Sequence, residues 1–219
     1  MTSIELKQVT VVFGRTLALD AIDLTIQPGI IGLFGQNGSG KSTLLRTIAG
    51  LIKPATGRVM VDGRAYARGD ESLRGELGFA GHESGLYPRL TLQENLELFA
   101  RLYGTPVERI DATLEELGLS AEGARQVGSL SAGTKRRAAV ARALLHDPTV
   151  LLLDEPYANL DDEASEKVSA SIQRWSQPHK TALIATHGAK KVKAYATAGI
   201  ILQRGRVVTR GNYEPRFTP

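Results

Sequence analysis

The sequence predicts an α/β fold in which buried strands alternate with helices and a helical lobe interrupts the series over residues 84–147. Three observations predict it. A short apolar run, IIGLF (30–34), passes directly into a glycine-rich loop and then into a helix starting near Ser42. A second run, TVLLLDE (149–155), is apolar without alternation, the pattern of a strand buried on both faces in a parallel sheet. Between them, from Leu90 to His146, apolar residues recur at helical spacing.

Taken in order, Ile22, Leu24 and Ile26 alternate with Asp23, Thr25 and Gln27, the period of a strand with one wet face, and Pro28-Gly29 breaks it. Residues 30–34 follow as a short buried strand. STLLRTIAGL, from Ser42, suits a helix that stops near Gly50. RVMVDG (58–63) reads as a strand closed by an Asp-Gly turn, and ELGFA (76–80) as another buried strand. In the lobe, Leu92, Leu96, Phe99 and Tyr103 share one helix face. Val107, Ile110, Leu114 and Leu117 share another, with Pro106 suited to a first turn and Gly118 to a stop. A third helix spans about Ala132 to His146. After the strand at 149–155 come a helix over 161–175, a strand over 181–186 and a helix over 189–196. GIILQ and RVVTR flank Arg204-Gly205 as a terminal hairpin. No internal repeat or low-complexity linker divides the chain. Residues 1–219 therefore read as one domain, with 1–83 and 148–219 as its core and 84–147 as the inserted lobe.

Composition narrows the class. The chain is 42% hydrophobic and 23% charged, ordinary for a soluble globular protein. No apolar run approaches the roughly 20 residues that span a bilayer, and MTSIELKQ lacks the basic-then-apolar pattern of a secretory signal. With no cysteine there is neither a disulfide framework nor a thiolate metal site, and a cytosolic location is the simplest expectation. The net charge of +4 fits a phosphate ligand, an anionic surface or nucleic acid without choosing among them. The densest basic spots, Lys135-Arg136-Arg137 and Lys190-Lys191-Val192-Lys193, read most plainly as solvated helix faces.

Gly35-Gln36-Asn37-Gly38-Ser39-Gly40-Lys41-Ser42, with Thr43 next, fits G-x-x-x-x-G-K-[ST] between a strand and a helix, the context that makes such a match credible. Its glycines let backbone N–H groups converge on phosphate oxygens, and the helix N-terminus adds a favourable dipole. Lys41 is expected to reach the β- and γ-phosphates and Ser42 to ligate Mg²⁺. The strand at 149–155 delivers Asp154 and Glu155 at its C-terminal end, where α/β sheets bind ligands. Asp154 is expected to hold Mg²⁺ directly or through water, and Glu155 to position and deprotonate an attacking water. His187 ends the next strand and can point at the same edge. Ser131 can cap a helix opening with Ala132, Gly133 and Thr134, which makes a second anion-binding end and suggests that two copies share a nucleotide.

The order of these pieces is a phosphate loop, LSAGTKRR (130–137), LLLDEP, NLD (159–161) and TH (186–187). It resembles an ATP-binding cassette (ABC) ATPase across essentially the whole chain. That resemblance implies a P-loop NTPase fold with a mixed sheet core, an N-terminal antiparallel β subdomain and an inserted α-helical subdomain. It implies a head-to-tail dimer sandwiching two ATP molecules with Mg²⁺, each ATP held by the phosphate loop of one chain and by Ser131 and Gly133 of the other. It further implies Asp161 as a cross-dimer contact, His187 as a switch on the γ-phosphate, and Phe13, in VVFG, as the aromatic that stacks on adenine. Phe13 otherwise reads as a core aromatic on an edge strand. Ala132 and Thr134 depart from the usual Leu-Ser-Gly-Gly-Gln, and Gly188 stands where an acidic residue is common. The chain stops at Pro219, before any regulatory extension of the sugar-importer kind.

A single short cassette suits an ATPase subunit on the cytoplasmic face of a membrane, held there by transmembrane permease subunits and working with a second ATPase subunit of the same or another kind. No nucleic acid is expected. In the family a coupling helix of the membrane partner sits beside the helical lobe, and Glu83 to Arg89, with Leu86 and Tyr87, would line that groove. GHESGLYPRLTLQENL and LSAG-x-x-RR are similar to the cytochrome c biogenesis ATPase described as a haem exporter. A drug, lipid or ion exporter ATPase is the alternative, and a soluble non-transport ABC ATPase is the alternative of another class. His82, six positions before Pro88, stands where most relatives carry a glutamine that reaches Mg²⁺ and the attacking water. Imidazole lacks the hard amide oxygen, so contact through water is the easier expectation, and a histidine acting there would make hydrolysis respond to pH. The glycines around it read as a hinge.

Overall fold

A computed structural model describes residues 2–66 and 73–212. Met1, 67–72 and 213–219, parts of the single-domain reading, lie outside the described residues. The centre is a six-stranded sheet in the order β10-β9-β3-β8-β7-β6, where β3 is Gly29–Phe34, β6 Leu77–Ala80, β7 Val150–Asp154, β8 Thr181–Ala185, β9 Ala198–Gln203 and β10 Arg206–Asn212. All neighbours are parallel except the β9/β10 hairpin. β7 and β8 are buried at every position, which explains runs such as VLLLD with no polar alternation. Alternate residues feed two cores. Leu33, Leu152 and Leu183 join the helix α1 (Lys41–Ile48) on one side, while Leu151, Leu153 and Ile184 join the other helices.

A second, antiparallel sheet in the order β2-β1-β4-β5 closes over the α1 side, from β1 (Ile4–Phe13), β2 (Thr16–Ile26), β4 (Thr56–Val61) and β5 (Arg64–Tyr66). Sequence periodicity misses β1, the first half of β2, and β5. The reason is visible in the register. In β1 the buried residues are Ile4 and Leu6, then Val9 and Val11, because the register shifts around Gln8, whose φ is 51°. In β2 Leu19 and Ile22 are buried three apart across Ala21 (φ 45°). A bulge puts period-2 alternation out of phase.

The other face carries α2 (Leu92–Tyr103), α3 (Arg109–Glu116), α4 (Ala132–Leu144), α5 (Asp162–Trp175) and α6 (Ala189–Lys193). Thr91 and Glu94 form a reciprocal capping box on α2, and Gly104 closes it at φ 65°. The expected helix from Pro106 starts instead at Arg109, after a turn in which Arg109 N–H donates to the Pro106 carbonyl. α4 ends at Leu144, not His146, and α6 is shorter than 189–196. α4 presents Ala138, Ala139 and Ala141, all buried, and lies directly on β6 and against α5. Gly78 in β6 permits this approach: a Cβ there would collide with the Ala143 carbonyl. Among the described residues no helix is long and apolar enough to cross a membrane.

Candidate active site

Sheet register assembles the site. Leu33 and Asp154 both pair with Ala185, and Ala80 pairs with Leu153. Four strands therefore release their chains at one edge: β3 into the glycine loop, β8 into Thr186-His187, β7 into Glu155 and β6 into Gly81-His82. This is the carboxyl edge where open α/β sheets bind ligands.

In the loop, Gly35, Gly38 and Gly40 have φ of 153°, 78° and 106°. A Cβ on Gly35 would strike the Leu202 carbonyl, and one on Gly40 would lie 2.7 Å from the Ala18 carbonyl oxygen. Asn37 and Gly38 are exposed at the tip. Gly40 caps α1 without a side-chain hydrogen bond, and α1 has no acidic residue in its first turn. Its first amides, with Ser42 and Thr43 half-buried beside them, remain available to an anion. Lys41 is buried, and its Nζ donates to the carbonyls of Gly35 (2.7 Å) and Gln36 (3.1 Å). Ser39 Oγ is buried with no hydrogen-bond partner.

Asp154 is buried, and its Oδ2 also lacks a partner. A buried carboxylate oxygen without a partner, at the sheet edge that also carries the glycine loop, fits a divalent cation. Among the described residues no group of three or more His, Cys, Asp or Glu side chains could hold a metal. A Mg²⁺ here would need hydroxyl, phosphate and water ligands beside Asp154, the set Ser42 and a nucleotide would supply.

Glu155 is held from three directions. Its Oε1 accepts from His187 N–H (2.8 Å) and faces His187 Nδ1 (2.9 Å), and its Oε2 accepts from Thr186 Oγ1 (3.0 Å). An ionised carboxylate only accepts, so the Nδ1 that faces it is a protonated nitrogen, on a side chain that is 71% exposed. Glu155 has φ 53°, in the left-handed region that a non-glycine residue occupies at a cost, and its N–H donates to the Ala185 carbonyl. Sequence reasoning does not single out Thr186 as a partner of Glu155; its place at a strand end beside His187 is the signal that could have found it.

Ser131, Gly133 and Asp161 form a second group, at the starts of α4 and α5. Ser131 Oγ caps α4 by accepting from Thr134 N–H (3.1 Å) and pairs with Thr134 Oγ1 (2.8 Å). Asp161 caps α5 through Ala164 N–H (2.8 Å). Gly133 lies against the 159–161 segment: a Cβ there would sit 2.5 Å from the Asn159 carbonyl oxygen. Phe13 is 51% exposed at the end of β1, just before the turn into β2, whose Ala18 carbonyl lies against Gly40. It is not a core aromatic, and β1 is an inner strand of its sheet.

At His82 it is the backbone that is engaged. Arg136 donates to the His82 carbonyl (3.0 Å) and the Gly81 carbonyl (2.7 Å), while the ring is exposed. Arg142 donates to the carbonyls of Phe79 (2.7 Å) and Gly85 (2.9 Å). The segment expected to be a hinge is therefore held from one helix at four carbonyls. Lys135-Arg136-Arg137 is not a solvated face either: Lys135 donates to the Gly128 carbonyl, Arg137 to those of Leu117 and Gly118, and Arg136 is buried. In the expected groove, Leu86 is buried and Tyr87 is exposed, stacked on Phe99 at 6.5 Å.

The chain is similar to known proteins in sequence and in fold. A family model described as "ABC transporter" matches residues 19–158. The chain is 38% identical over 206 residues to the ABC transporter ATP-binding protein NatA of Bacillus subtilis, covering 91% of this chain and 84% of that protein. It is 33% identical over 217 residues to the Nod factor export ATP-binding protein I of Cupriavidus metallidurans, covering 96% and 72%. A sulfate/thiosulfate import ATP-binding protein of Mycobacterium bovis is 36% identical over 206 residues, 91% of this chain but 58% of that one. Among solved structures, a dimeric bacterial ABC transporter cassette superimposes with TM-score 0.88 at 28% identity, covering 96% of this chain and 99% of that one. A post-hydrolysis dimer of the same cassette, bound to ADP and phosphate, gives TM-score 0.87 at 28% identity, with the same coverage.

Proposed function

This chain belongs to the ABC transporter ATP-binding family, and from that membership we propose that it binds and hydrolyses ATP to drive a membrane transporter. The observation that carries the reading is Glu155, fixed by Thr186 and His187 at the same sheet edge as Asp154 and the Lys41 loop. Gly35 to Thr43 wrap the phosphates, Lys41 exchanges its two loop carbonyls for β- and γ-phosphate oxygens, and Phe13 stacks on the adenine. Ser42 and Asp154 would hold Mg²⁺, which supplies charge neutralisation on the phosphates when bound. Glu155 takes a proton from water as the water oxygen bonds the γ-phosphorus. The bond to the β-phosphate oxygen then breaks, giving ADP and inorganic phosphate. With both ring nitrogens protonated, His187 donates through Nδ1 to Glu155 and through Nε2 to the γ-phosphate.

A second ATPase subunit supplies Ser131, Gly133 and Asp161 across the site, as two exposed helix starts on each chain allow. Residues 84–147 act as the helical subdomain, with exposed Tyr87 at the contact with transmembrane subunits that keep the chain at the cytoplasmic face. The likeness to the cytochrome c biogenesis ATPase rests on short segments around His82 and Ala132. The three relatives named above are instead the ABC transporter ATP-binding protein NatA and the ATP-binding proteins of Nod factor export and of sulfate/thiosulfate import. The reading favoured here is accordingly the broader one, a transporter ATPase; transport names among the relatives favour it over a soluble, non-transport role. Phosphate release from Mg-ATP by the purified chain tests it. The parent should hydrolyse ATP and Glu155→Gln should lose most of the rate, since the amide can keep its oxygen toward His187 and its NH₂ toward Thr186 Oγ1. A Glu155→Gln variant hydrolysing at the parental rate would remove Glu155 as the base.

A further inference from the structure

We propose that Arg136 is a positioning residue that ties the His82 segment and the helix opened by Ser131 to the backbone conformation of Glu155. Arg136 is 7% exposed in α4. Its guanidinium donates to the Gly81 carbonyl (Nη1, 2.7 Å), the His82 carbonyl (Nη2, 3.0 Å) and the Asp154 carbonyl (Nη1, 3.3 Å). A planar fork of fixed donors spans three carbonyls on two separate chain segments, whereas an ammonium offers its three donors from one point on a flexible stem.

The Asp154 carbonyl belongs to the peptide that joins Asp154 to Glu155. The N–H of that same peptide donates to the Ala185 carbonyl. The plane is thus gripped from both sides, by β8 and by Arg136, and its tilt sets the φ of Glu155, which lies at 53°. A buried charge bonded to neutral backbone carbonyls is costly to keep. Burial draws the guanidinium below its ordinary pKa, while the charges of Asp154 and Glu155 oppose that shift. Movement of Gly81-His82 therefore pulls directly on the peptide that aims the carboxylate. The exposed imidazole of His82 is not needed for this link.

The inference rests on Glu155 acting on the attacking water. Arg142 is the internal comparison: from the same helix it grips Phe79 and Gly85, rather than Asp154, and lies 5.1 Å from the Phe99 ring centre. The test measures steady-state Mg-ATP hydrolysis, ATP affinity and melting temperature of the full-length chain, with Arg136→Lys, Arg136→Gln and Arg142→Lys. Both Arg136 variants should lose kcat by about tenfold or more while ATP affinity stays within about twofold. Arg142→Lys should lower the melting temperature and leave kcat within about threefold. Parental kcat in Arg136→Lys, or a parallel loss of kcat and affinity, overturns the proposal. An inactive parent chain would instead overturn the ATPase reading. If the Arg136 variants do not fold, hydrogen exchange on the parent decides. Peptides covering 79–85 and 152–158 should gain protection together on adding Mg-ATP, and protection confined to one of them overturns the link.

Discussion

Two groups of polar residues face the same task and are built in opposite ways. Lys41, Asp154, Glu155 and Thr186 stand at or beyond the carboxyl ends of adjacent parallel strands, are buried or nearly so, and are set by sheet register, with Thr186 also donating to Glu155. Ser131 and Asp161 stand at helix starts, exposed, with their side chains spent on caps. In the proposed function the first group binds phosphate within one chain. The second offers helix N-termini to something outside it, which is what a half-site completed by another subunit looks like. Binding and turnover should therefore separate by mutation, binding depending on the first group and turnover on both.

The sharpest separation is at Lys41. Lys41→Ala should weaken ATP binding, measured by calorimetry, by at least about 100-fold, because a buried cation aimed at the phosphates is lost. Undiminished affinity would sink the phosphate-loop assignment. Gly133→Ala should do the reverse: its Cβ presses on the Asn159 carbonyl, so hydrolysis should fall about tenfold while ATP affinity of the single chain holds within about twofold. Equal losses in both would erase the contrast. Phe13→Ala should cost about fivefold in ATP affinity, the low end of base stacking on an aromatic ring. An unchanged affinity would return Phe13 to a surface residue.

The smallest effect lies past the far end of the helix that Ser131 opens. His146, just past α4, bonds through Nε2 to the Leu77 carbonyl (3.2 Å) and stacks on Tyr103 at 3.9 Å. Burial lowers its pKa from 6.5 to about 4, and the bond to Leu77 only partly offsets this. The unfolded chain therefore takes up a proton near 6.5 and the folded chain resists until about 4. Stability is full above the unfolded value and falls as pH drops between the two. By pH 6 the loss should be roughly 0.8 kcal/mol, read as the pH dependence of the melting temperature. His146→Gln, which keeps a donor for Leu77, should flatten that dependence, and an unflattened curve would assign it elsewhere.

The core strands and the first group were legible because both are local. IIGLF and TVLLLDE announce burial without any partner in view, and the residues after them inherit the sheet edge. The antiparallel sheet was half legible. Bulges at Gln8 and Ala21 shift the alternation that periodicity depends on, and β5 is only three residues long. The Arg136 contact was not legible, since three adjacent basic residues look like a wet helix face until the helix is laid on β6. His82 shows the same limit. Its spacing from Pro88 drew attention to its side chain, while the hydrogen bond made there is accepted by its carbonyl, which no side-chain motif records.

Sedimentation of Glu155→Gln with and without Mg-ATP most directly asks whether two chains complete one another's sites. ATP should double the mass, and adding Gly133→Ala should abolish the doubling with ATP still bound. A chain that binds ATP yet remains a single copy throughout would contradict the shared site.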